Sequence, residues 1–387
     1  MPRDRLKSIK SSVIAQINEI ANNMGSDLIR LEMGDVDFTT PDFISQEAVE
    51  ATKQNFTHYT PFNGYPDLRE AIAEKLENEN NITADKNNVL VTTGASSALF
   101  IALYGLSNDN DEAIIHEPFW SNFQGITTLT GTRLKPFPTE EKNGFKIDLN
   151  ALENSITKDT KILILNSPNN PTGAIFEKKL LEQIAEIAGK HGLIIISDEE
   201  YEKFIYEGNK HFSIGSIYED TVTIQSFSKT YAMCGWRVGY MCAKKEIIDE
   251  MAKVNLFTNI CCSSISQRVA LKAMNSNQDF TKNMVREFEI RRDLFVKKLN
   301  KIDGIHCAYP EGSLYVWPNV SGLNSNSFNV SKFLIEKAKV SVVPGNAFGD
   351  SGEGYLRISL GASREKLEEA ASRMKDALET LSNPQGK

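Results

Sequence analysis

The stretch EKKLLEQIAEIAGKHGLIIISDEEY, residues 177–201, predicts both the type of fold and the place of a polar site. Apolar residues recur in it at three- and four-residue spacing, at Leu180, Ile184, Ile187 and Ala188. This spacing predicts a helix with one buried face. Gly192 can end that helix, and the run LIIIS follows at once as a buried strand. A helix that leads directly into a buried strand is typical of a parallel sheet.

The rest of the chain repeats this alternation. Further short apolar runs read as buried strands: NNVLVTTG, EAIIHEP, KILILNSP and TVTIQSFS. We therefore predict an α/β fold in which helices sandwich a mostly parallel sheet. The alternation weakens after about residue 285. We assign residues 46–285 to a large domain, and residues 1–45 plus 286–387 to a smaller α/β domain formed by both chain ends.

Two further helices and one loop can be outlined. One helix is expected to open at Asp67, with Leu68, Ile72 and Leu76 as its apolar stripe. Another is expected after Ser363, which can cap it. Its apolar stripe comprises Leu367, Ala370, Met374 and Leu378. The polar run NSNSFN, residues 324–329, reads as a loop.

Composition limits the function classes. The 387 residues carry a formal net charge of -8 with no long run of either sign, which argues against a nucleic-acid face or a membrane patch. The five cysteines have no repeating spacing, and no paired histidines stand at metal-ligand spacing. No segment approaches the roughly 20 apolar residues of a membrane span. We expect a cytoplasmic protein, complete from its first residue, that binds small molecules and has no metal site, membrane or nucleic acid partner.

Polar residues crowd the ends of the predicted strands, where parallel sheets bind ligands. Gly94, Ala95 and Ser96 follow one strand and open an apolar helix, so that free N–H groups and a hydroxyl can bind phosphate. A capped helix with small residues for close packing would look the same. Asn170 lies in the turn PNNPTG, which follows the predicted strand KILILNS. An ordinary turn would also explain this asparagine.

Two further strand ends carry ionisable groups. Asp198 ends one strand, with the phenol of Tyr201 three residues on, although such aspartates often only cap helices. Lys229 follows TVTIQS, and we expect burial to lower its pKa and leave an amine able to attack a carbonyl. Together these groups describe a pocket for a phosphorylated carbonyl cofactor with a ring nitrogen, and pyridoxal 5'-phosphate (PLP) has those features.

At this point the chain resembles the fold-type I PLP-dependent aminotransferases of the aspartate aminotransferase family (class I/II), over essentially its whole length. The matching segments are SFSKTYAMCGWRVG, NSPNNPTG, SDEEYEKFIYEG, TTGASSAL, YTPFNGYPDLREAI and GYLRISLG, in the family's order. Six ordered motifs make the resemblance specific.

The resemblance implies a role for each matching residue. Lys229 would form the Schiff base with the cofactor and move the proton at the substrate Cα. Asp198 would pair with the ring nitrogen, and Asn170 and Tyr201 would bind the phenolic oxygen. The phosphate would be held by Gly94, Ala95, Ser96, Ser226, Ser228 and Arg237, whose guanidinium suits that task better than a lysine.

The resemblance also implies a substrate site and a partner. Trp120 would stack on the cofactor ring and face the substrate. Arg357 would bind the substrate's α-carboxylate, beside Gly34 and Asn170, because an arginine alternating inside the strand GYLRISLG needs an anion. Tyr59 matches a tyrosine that reaches the neighbouring subunit's phosphate, which implies a homodimer with shared active sites.

The implied reaction moves the amino group of an L-amino acid to a 2-oxo acid, such as 2-oxoglutarate, by a ping-pong mechanism of aspartate, aromatic or broad specificity. Dicarboxylate specificity is open, because no basic residue lies between Lys253 and Arg268 and Ser96 stands where one branch has a lysine. The run GDVDF keeps a C–S β-lyase, similar to cystathionine β-lyase, as an alternative. A non-catalytic ligand sensor is disfavoured, because the motifs begin by Gly34 and leave no room for a DNA-binding domain.

Overall fold

The computed structural model describes residues 4–9 and 13–382. The other residues of the chain ends, which we assigned to the smaller domain, lie outside the described residues. The strands are β1 (Ile29–Arg30), β2 (Val89–Thr92), β3 (Glu112–Glu117), β4 (Arg133–Pro138), β5 (Thr160–Asn166), β6 (Ile194–Asp198), β7 (Thr221–Ser226), β8 (Gly239–Cys242), β9 (Tyr315–Val316), β10 (Val340–Ser341), β11 (Val343–Pro344) and β12 (Leu356–Ser359). The helices are α1 (Asp4–Ser8), α2 (Val13–Asn22), α3 (Asp42–Lys53), α4 (Pro66–Asn80), α5 (Ala95–Leu106), α6 (Asn122–Thr130), α7 (Leu149–Ser155), α8 (Lys178–His191), α9 (Lys245–Asn259), α10 (Ser264–Met274), α11 (Asp279–Leu299), α12 (Ser327–Phe333) and α13 (Arg364–Ser382).

Within the described residues, seven strands form the main sheet in the order β2-β8-β7-β6-β5-β3-β4. All neighbouring pairs are parallel except those of β8, which is antiparallel to β2 and β7. The five strands predicted from apolar runs are confirmed as β2, β3, β5, β6 and β7. The sequence reasoning missed β4 and β8. Most residues of β4 are at least partly exposed, so it lacks the continuous apolar pattern of a central strand.

Both faces of this sheet are covered. Along β5, Ile162 and Ile164 pack into a core with α5 and α9, whereas Leu163 and Leu165 pack on the other face against α8. A strand that alternates between two buried faces must be apolar at every position, which is the reason for the run ILIL, residues 162–165. The predicted α/β fold with a mostly parallel, helix-flanked sheet is confirmed.

The predicted helices are present with shifts at their edges. Helix α8 ends at Gly192 in the left-handed conformation, as expected, but Leu181 rather than Leu180 is fully buried in its stripe. Helix α4 begins at Pro66, because proline favours the first helical position, so the predicted opening at Asp67 is one residue late.

The prediction of the C-terminal helix is confirmed, whereas the prediction of the loop is partly wrong. Ser363 caps α13 through its Oγ, which accepts from Lys366 N at 3.3 Å, and the four predicted stripe residues are buried. The loop prediction for NSNSFN is wrong in its second half. The side chain of Asn326 accepts from Asn329 N, and α12 begins at Ser327.

Residues from both chain ends share a separate core. Ile29 and Leu31 pack with apolar side chains of α11, α13 and the short strands β9, β10 and β12. In two small sheets, β1 pairs with β10 and β12 lies between β11 and β9. This core holds β12 and the segment after β1 beside the main sheet, and the exact domain boundaries stay a prediction.

Candidate active site

A cavity of about 360 Å³ opens at the carboxyl ends of the parallel strands. Most of the predicted site residues line it: Gly34, Ala95, Ser96, Trp120, Asn170, Asp198, Tyr201, Ser228, Lys229, Arg237 and Arg357. Gly94, Ser226 and Tyr59 are the predicted residues that do not line it. The strand order of the sheet explains the convergence, because the ends of β2, β5, β6 and β7 and the start of antiparallel β8 meet at one edge.

One end of the cavity is built to receive an anion. Helix α5 begins at Ala95 after Gly94, which has a φ of 78°. A Cβ atom at Gly94 would lie 2.5 Å from Arg237 Nη2, so only glycine lets the guanidinium approach the helix N-terminus. Free N–H groups, the helix dipole and a guanidinium thus point at one place, with Ser96 and Ser228 beside it.

Lys229 extends into the middle of the cavity. Its Nζ donates to Gly34 O at 2.6 Å and to Cys234 Sγ at 3.2 Å. Burial lowers the pKa of Lys229, but Cys234, Tyr315 and Glu200 raise it by more, so that its pKa lies above the usual value. The expectation of a lowered pKa is therefore wrong for this chain without ligands. The reason is that acceptors surround the ammonium and compensate its burial.

The segment after β6 presents Asp198 and Tyr201 to the cavity. Burial raises the pKa of Asp198 to about 8, and the Glu200 carboxyl adds to the rise. Burial also raises the pKa of Tyr201 well above its usual value. The Tyr201 hydroxyl lies 2.9 Å from the Tyr315 hydroxyl. At neutral pH this wall therefore carries neutral groups that can donate protons or hydrogen bonds.

Intervening residues of the same segment point behind the sheet and anchor it. Glu199 accepts hydrogen bonds from Ser197 Oγ, Ser213 Oγ, Gln225 Nε2 and His211 at 2.7–3.0 Å. Glu202 pairs with the buried ammonium of Lys75. Burial acts to raise the pKa of Glu202, but the Lys75 ammonium and other nearby positive groups lower it to about 2.

This buried network has one property that the sequence reasoning did not foresee. Ligand atoms of Glu199, Glu202 and His211 lie within 4.8 Å of one another, which is compatible with a metal ion. The Lys75 ammonium already supplies a positive charge beside these three residues. It is held in place by Gln225 Oε1, to which it donates a hydrogen bond at 2.6 Å. The network therefore holds the Asp198–Tyr201 segment against β7 with its own cation.

The opposite wall carries Arg357 on β12. Its Nη2 donates to Glu32 O at 2.6 Å and its Nη1 to Asn170 Oδ1 at 3.3 Å. Its Nε is buried and has no hydrogen-bond partner among the described residues. The guanidinium lies 4.5 Å from the centre of the Tyr315 ring. Arg357 is thus fixed in place with donor capacity left over, which fits a carboxylate ligand.

Gly34 and Trp120 close the cavity, whereas Tyr59 lies outside it. A Cβ at Gly34 would lie 2.2 Å from the Tyr315 hydroxyl, so this position needs glycine. Trp120 lines the cavity and packs edge-on against Phe123. Tyr59 is 80% exposed at the surface of the single chain.

Several lining residues were not predicted as site residues. They are Ile14, Asn18, Glu32, Met33, Asn122, Asn166, Glu200 and Tyr315. Tyr315 gives no signal in the sequence, because β9 comprises only two residues and reaches the site through its pairing with β12. Glu200 had a signal, the acidic run DEE after a buried strand, but that run was read only for Asp198.

The comparisons with known proteins agree with this geometry. The family model for aminotransferase class I and II matches residues 26–374. An aspartate aminotransferase of Pyrococcus abyssi is 42% identical over 97% of both chains. Aromatic-amino-acid aminotransferase 2 of Thermococcus litoralis is 39% identical over 97% of both chains. A structure of the Thermus thermophilus aspartate aminotransferase with maleate has a TM-score of 0.93 at 34% identity, covering 97% of this chain and 99% of that chain.

The chain therefore belongs to aminotransferase class I and II, as its motifs predict. It is an enzyme, an amino-acid aminotransferase of the PLP-dependent fold-type I group. The relatives described above carry aminotransferase names, and none of them supports the C–S β-lyase alternative. Across residues 4–9 and 13–382, every helix is too short or too polar to cross a bilayer.

Proposed function

We propose that this enzyme uses PLP, held by the cavity residues, to transfer the amino group of an L-amino acid to a 2-oxo acid. The observation that carries the proposal is the position of Lys229. Its Nζ lies among a guanidinium at a helix N-terminus, a buried carboxyl at a strand end and a second guanidinium on β12. A phosphate, a ring nitrogen and a substrate carboxylate would match these three groups in turn.

The residues fit PLP at each of its polar groups. The N-terminus of α5, with Ser96, Ser228 and Arg237, would hold the phosphate. Asp198, whose pKa of about 8 reflects its burial, would pair with the ring nitrogen. Tyr201 and Asn170 would bind the phenolic oxygen, and Trp120 would cover the ring.

The chain's own groups would then share the work of catalysis. Arg357 binds the α-carboxylate and thereby orients the substrate Cα toward Lys229. When bound, PLP supplies an electron sink for the charge that develops at Cα. Lys229, in its unprotonated form, would take the proton from Cα and carry it within the cavity as the general base and acid. Because the amino group would stay with the enzyme while Arg357 binds first the amino acid and then the oxo acid, the kinetics should be ping-pong.

The donor specificity we propose is of the aspartate, aromatic or broad type. The relatives named for aspartate and for aromatic amino acids support it. Among the described lining residues the cations are Lys229, Arg237 and Arg357, each with a role already assigned. A cation for a distal carboxylate is not among them, so a broad or aromatic donor is favoured over a strict dicarboxylate.

A homodimer with shared active sites completes the proposal. Tyr59 is 80% exposed and Phe257 is 87% exposed, and about half of the Phe62 and Ile260 side chains is also exposed. These apolar side chains lie beside the anion end of the cavity, since Asn255 Nδ2 donates to Phe62 O at 2.8 Å and Asn259 Nδ2 donates to Ser97 Oγ at 3.2 Å. A second copy that covers them would bring its Tyr59 near this site.

We also infer a cytoplasmic location and two domains, residues 46–285 and 1–45 plus 286–387. All five cysteines lie within the described residues and none is in a disulfide, which is the expected state in a reducing compartment. The core shared by both chain ends supports the smaller domain. Molar mass by light scattering tests the dimer, and limited proteolysis near residues 45 and 285 tests the boundaries.

The visible absorption spectrum of the purified enzyme tests the central proposal. PLP bound to Lys229 should give an absorption band that certain single amino acids bleach when no oxo acid is present. The amino acids that bleach it fastest identify the donor class. No band after addition of PLP would refute the proposal, and release of pyruvate from a sulfur amino acid without bleaching would favour a β-lyase instead.

A further inference from the structure

Glu200 is an acidic residue of the cavity to which the proposed function assigns no role. It lines the cavity with Asp198, Lys229 and Arg237. Its Oε1 accepts a hydrogen bond from Ser226 Oγ at 2.8 Å. Its Oε2 is shielded from solvent and has no hydrogen-bond partner in the described part of the chain. A buried carboxylate oxygen without a donor is costly, so this geometry makes it easier for Glu200 to take up a proton.

Ser226 connects Glu200 to the anion end of the cavity. Its Oγ donates to Glu200 and also accepts from Ser228 N at 3.0 Å. A hydroxyl has one proton, so Ser226 cannot donate to a phosphate while it donates to the carboxylate. If Glu200 carries a proton, its own O–H can donate to Ser226 Oγ, and the Ser226 proton is then free for an anion.

The charges around Glu200 act in both directions. Asp198 and Tyr201 face it from its own segment, and Lys229 and Arg237 face it from the segment between β7 and β8. Burial raises the pKa of Glu200, whereas Lys229, Ser226 and Arg237 lower it, and the balance lies above the usual value. An ionised Glu200 would add negative charge beside a bound phosphate, so phosphate binding also favours the protonated form.

We propose that Glu200 is a positioning residue of the anion end: it takes up a proton when a phosphorylated cofactor binds, and that proton frees the Ser226 hydroxyl to donate to the phosphate. The inference rests on the proposed function, because it assumes that the cofactor's phosphate binds at the anion end, beside Ser228, and comes within reach of the Ser226 hydroxyl next to it. Its consequence is that cofactor affinity depends on pH through Glu200.

Titrations of the full-length, cofactor-stripped protein with PLP at about pH 6 and about pH 9 test the inference through the Kd rather than through activity. From about pH 6 to about pH 9, the Kd of the wild type should rise by a factor roughly tenfold larger than the Kd of Glu200→Gln does. The amide of this variant mimics the protonated carboxyl. Because the Glu200 carboxyl also raises the pKa of Asp198 and of Lys229, the Ser226→Ala variant, which keeps that carboxyl, controls for the pH dependence of these two groups. An equal change of Kd in the wild type and in Glu200→Gln would overturn the inference.

Ser226→Ala separates the hydroxyl switch from simple charge repulsion and serves if Glu200→Gln does not fold. Loss of the hydroxyl should weaken PLP binding roughly tenfold at about pH 6, where Ser226 is free to donate, and less than about twofold at about pH 9, where Glu200 holds it. The same loss at both pH values would overturn the switch. Absence of PLP binding in every protein would overturn both the inference and the proposed function, whereas binding with equal pH dependence would overturn the inference alone.

Discussion

The acidic residues at the end of β6 and just after it have opposite environments on the two sides of the segment. Toward the cavity, Asp198 has a pKa of about 8 and Glu200 has an oxygen without a partner. Behind the sheet, Glu202 pairs with Lys75 and has a pKa of about 2, and Glu199 accepts several hydrogen bonds. All four residues lie within five consecutive positions.

The difference lies in compensation rather than in burial. Asp198, Glu199 and Glu202 are buried and Glu200 is half-buried, but only behind the sheet does a carboxylate pair directly with a cation and find enough donors. The compensated side fixes the segment on β7. On the cavity side, Asp198 and Glu200 have a raised pKa and can still pair with a ligand, which is typical of a functional site. Substitutions that change the residues of one side at a time test this difference.

Lys229→Ala should have the largest effect, and only on the cavity side. We expect kcat to fall by roughly a thousandfold or more, because Lys229 is the residue that we assign to moving the Cα proton. PLP should still bind without a covalent bond, and the melting temperature should change little. Lys282→Ala, at an exposed lysine, is the control and should keep normal turnover. Normal turnover by the Lys229 variant would refute the assignment.

Glu202→Leu breaks the side behind the sheet. It removes the carboxylate that pairs most closely with the half-buried Lys75, leaving Glu79 at 3.9 Å, and should reduce the free energy of unfolding by about 3 kcal/mol. Chemical denaturation measures the loss. Glu50→Leu removes the exposed pair with Lys53 and should cost less than about 1 kcal/mol. Equal losses in the two variants would mean that the network behind the sheet adds no stability.

Arg357→Ala tests the wall opposite this segment. We expect KM to rise by roughly a hundredfold for amino and oxo acids, because the carboxylate loses a fixed guanidinium. PLP occupancy, read from the absorption spectrum, should stay the same. Arg364→Ala changes an exposed arginine bound to Glu287 and should leave KM unchanged. Loss of PLP from the Arg357 variant would place that arginine in the cofactor site instead.

Asp198→Asn should change the pH dependence of stability, which is the smallest of the four expected effects. The folded-state pKa of Asp198 is raised from 3.8 to about 8. Its contribution to stability is therefore complete below the unfolded pKa and is lost as pH rises through about 8. Between about pH 6.5 and about pH 8, the PLP-free wild type should lose about 2 kcal/mol more than the variant. Denaturant unfolding at the two pH values measures the difference. Parallel losses would show that Asp198 is already ionised.

The sequence alone predicted the α/β fold and most of the residues that line the cavity. Buried strands of a parallel sheet contain continuous apolar runs, such as ILIL and LIII, so they stand out against amphipathic helices. Ligands bind where such strands end, so the residues after them could be identified before any contact was known. The predicted helices were also found, with errors of about one residue at their edges.

Only the tertiary structure decided how each of these groups is compensated. Nothing in SDEEYE distinguishes Glu200, which faces the cavity, from Glu202, which pairs with Lys75 from α4. Lys229 was expected to have a lowered pKa, but Cys234, Tyr315 and Glu200 together reverse the shift, and Tyr315 comes from a distant part of the chain. Protonation depends on the charges and dipoles within a few ångströms, and those come from parts of the chain that only folding brings together.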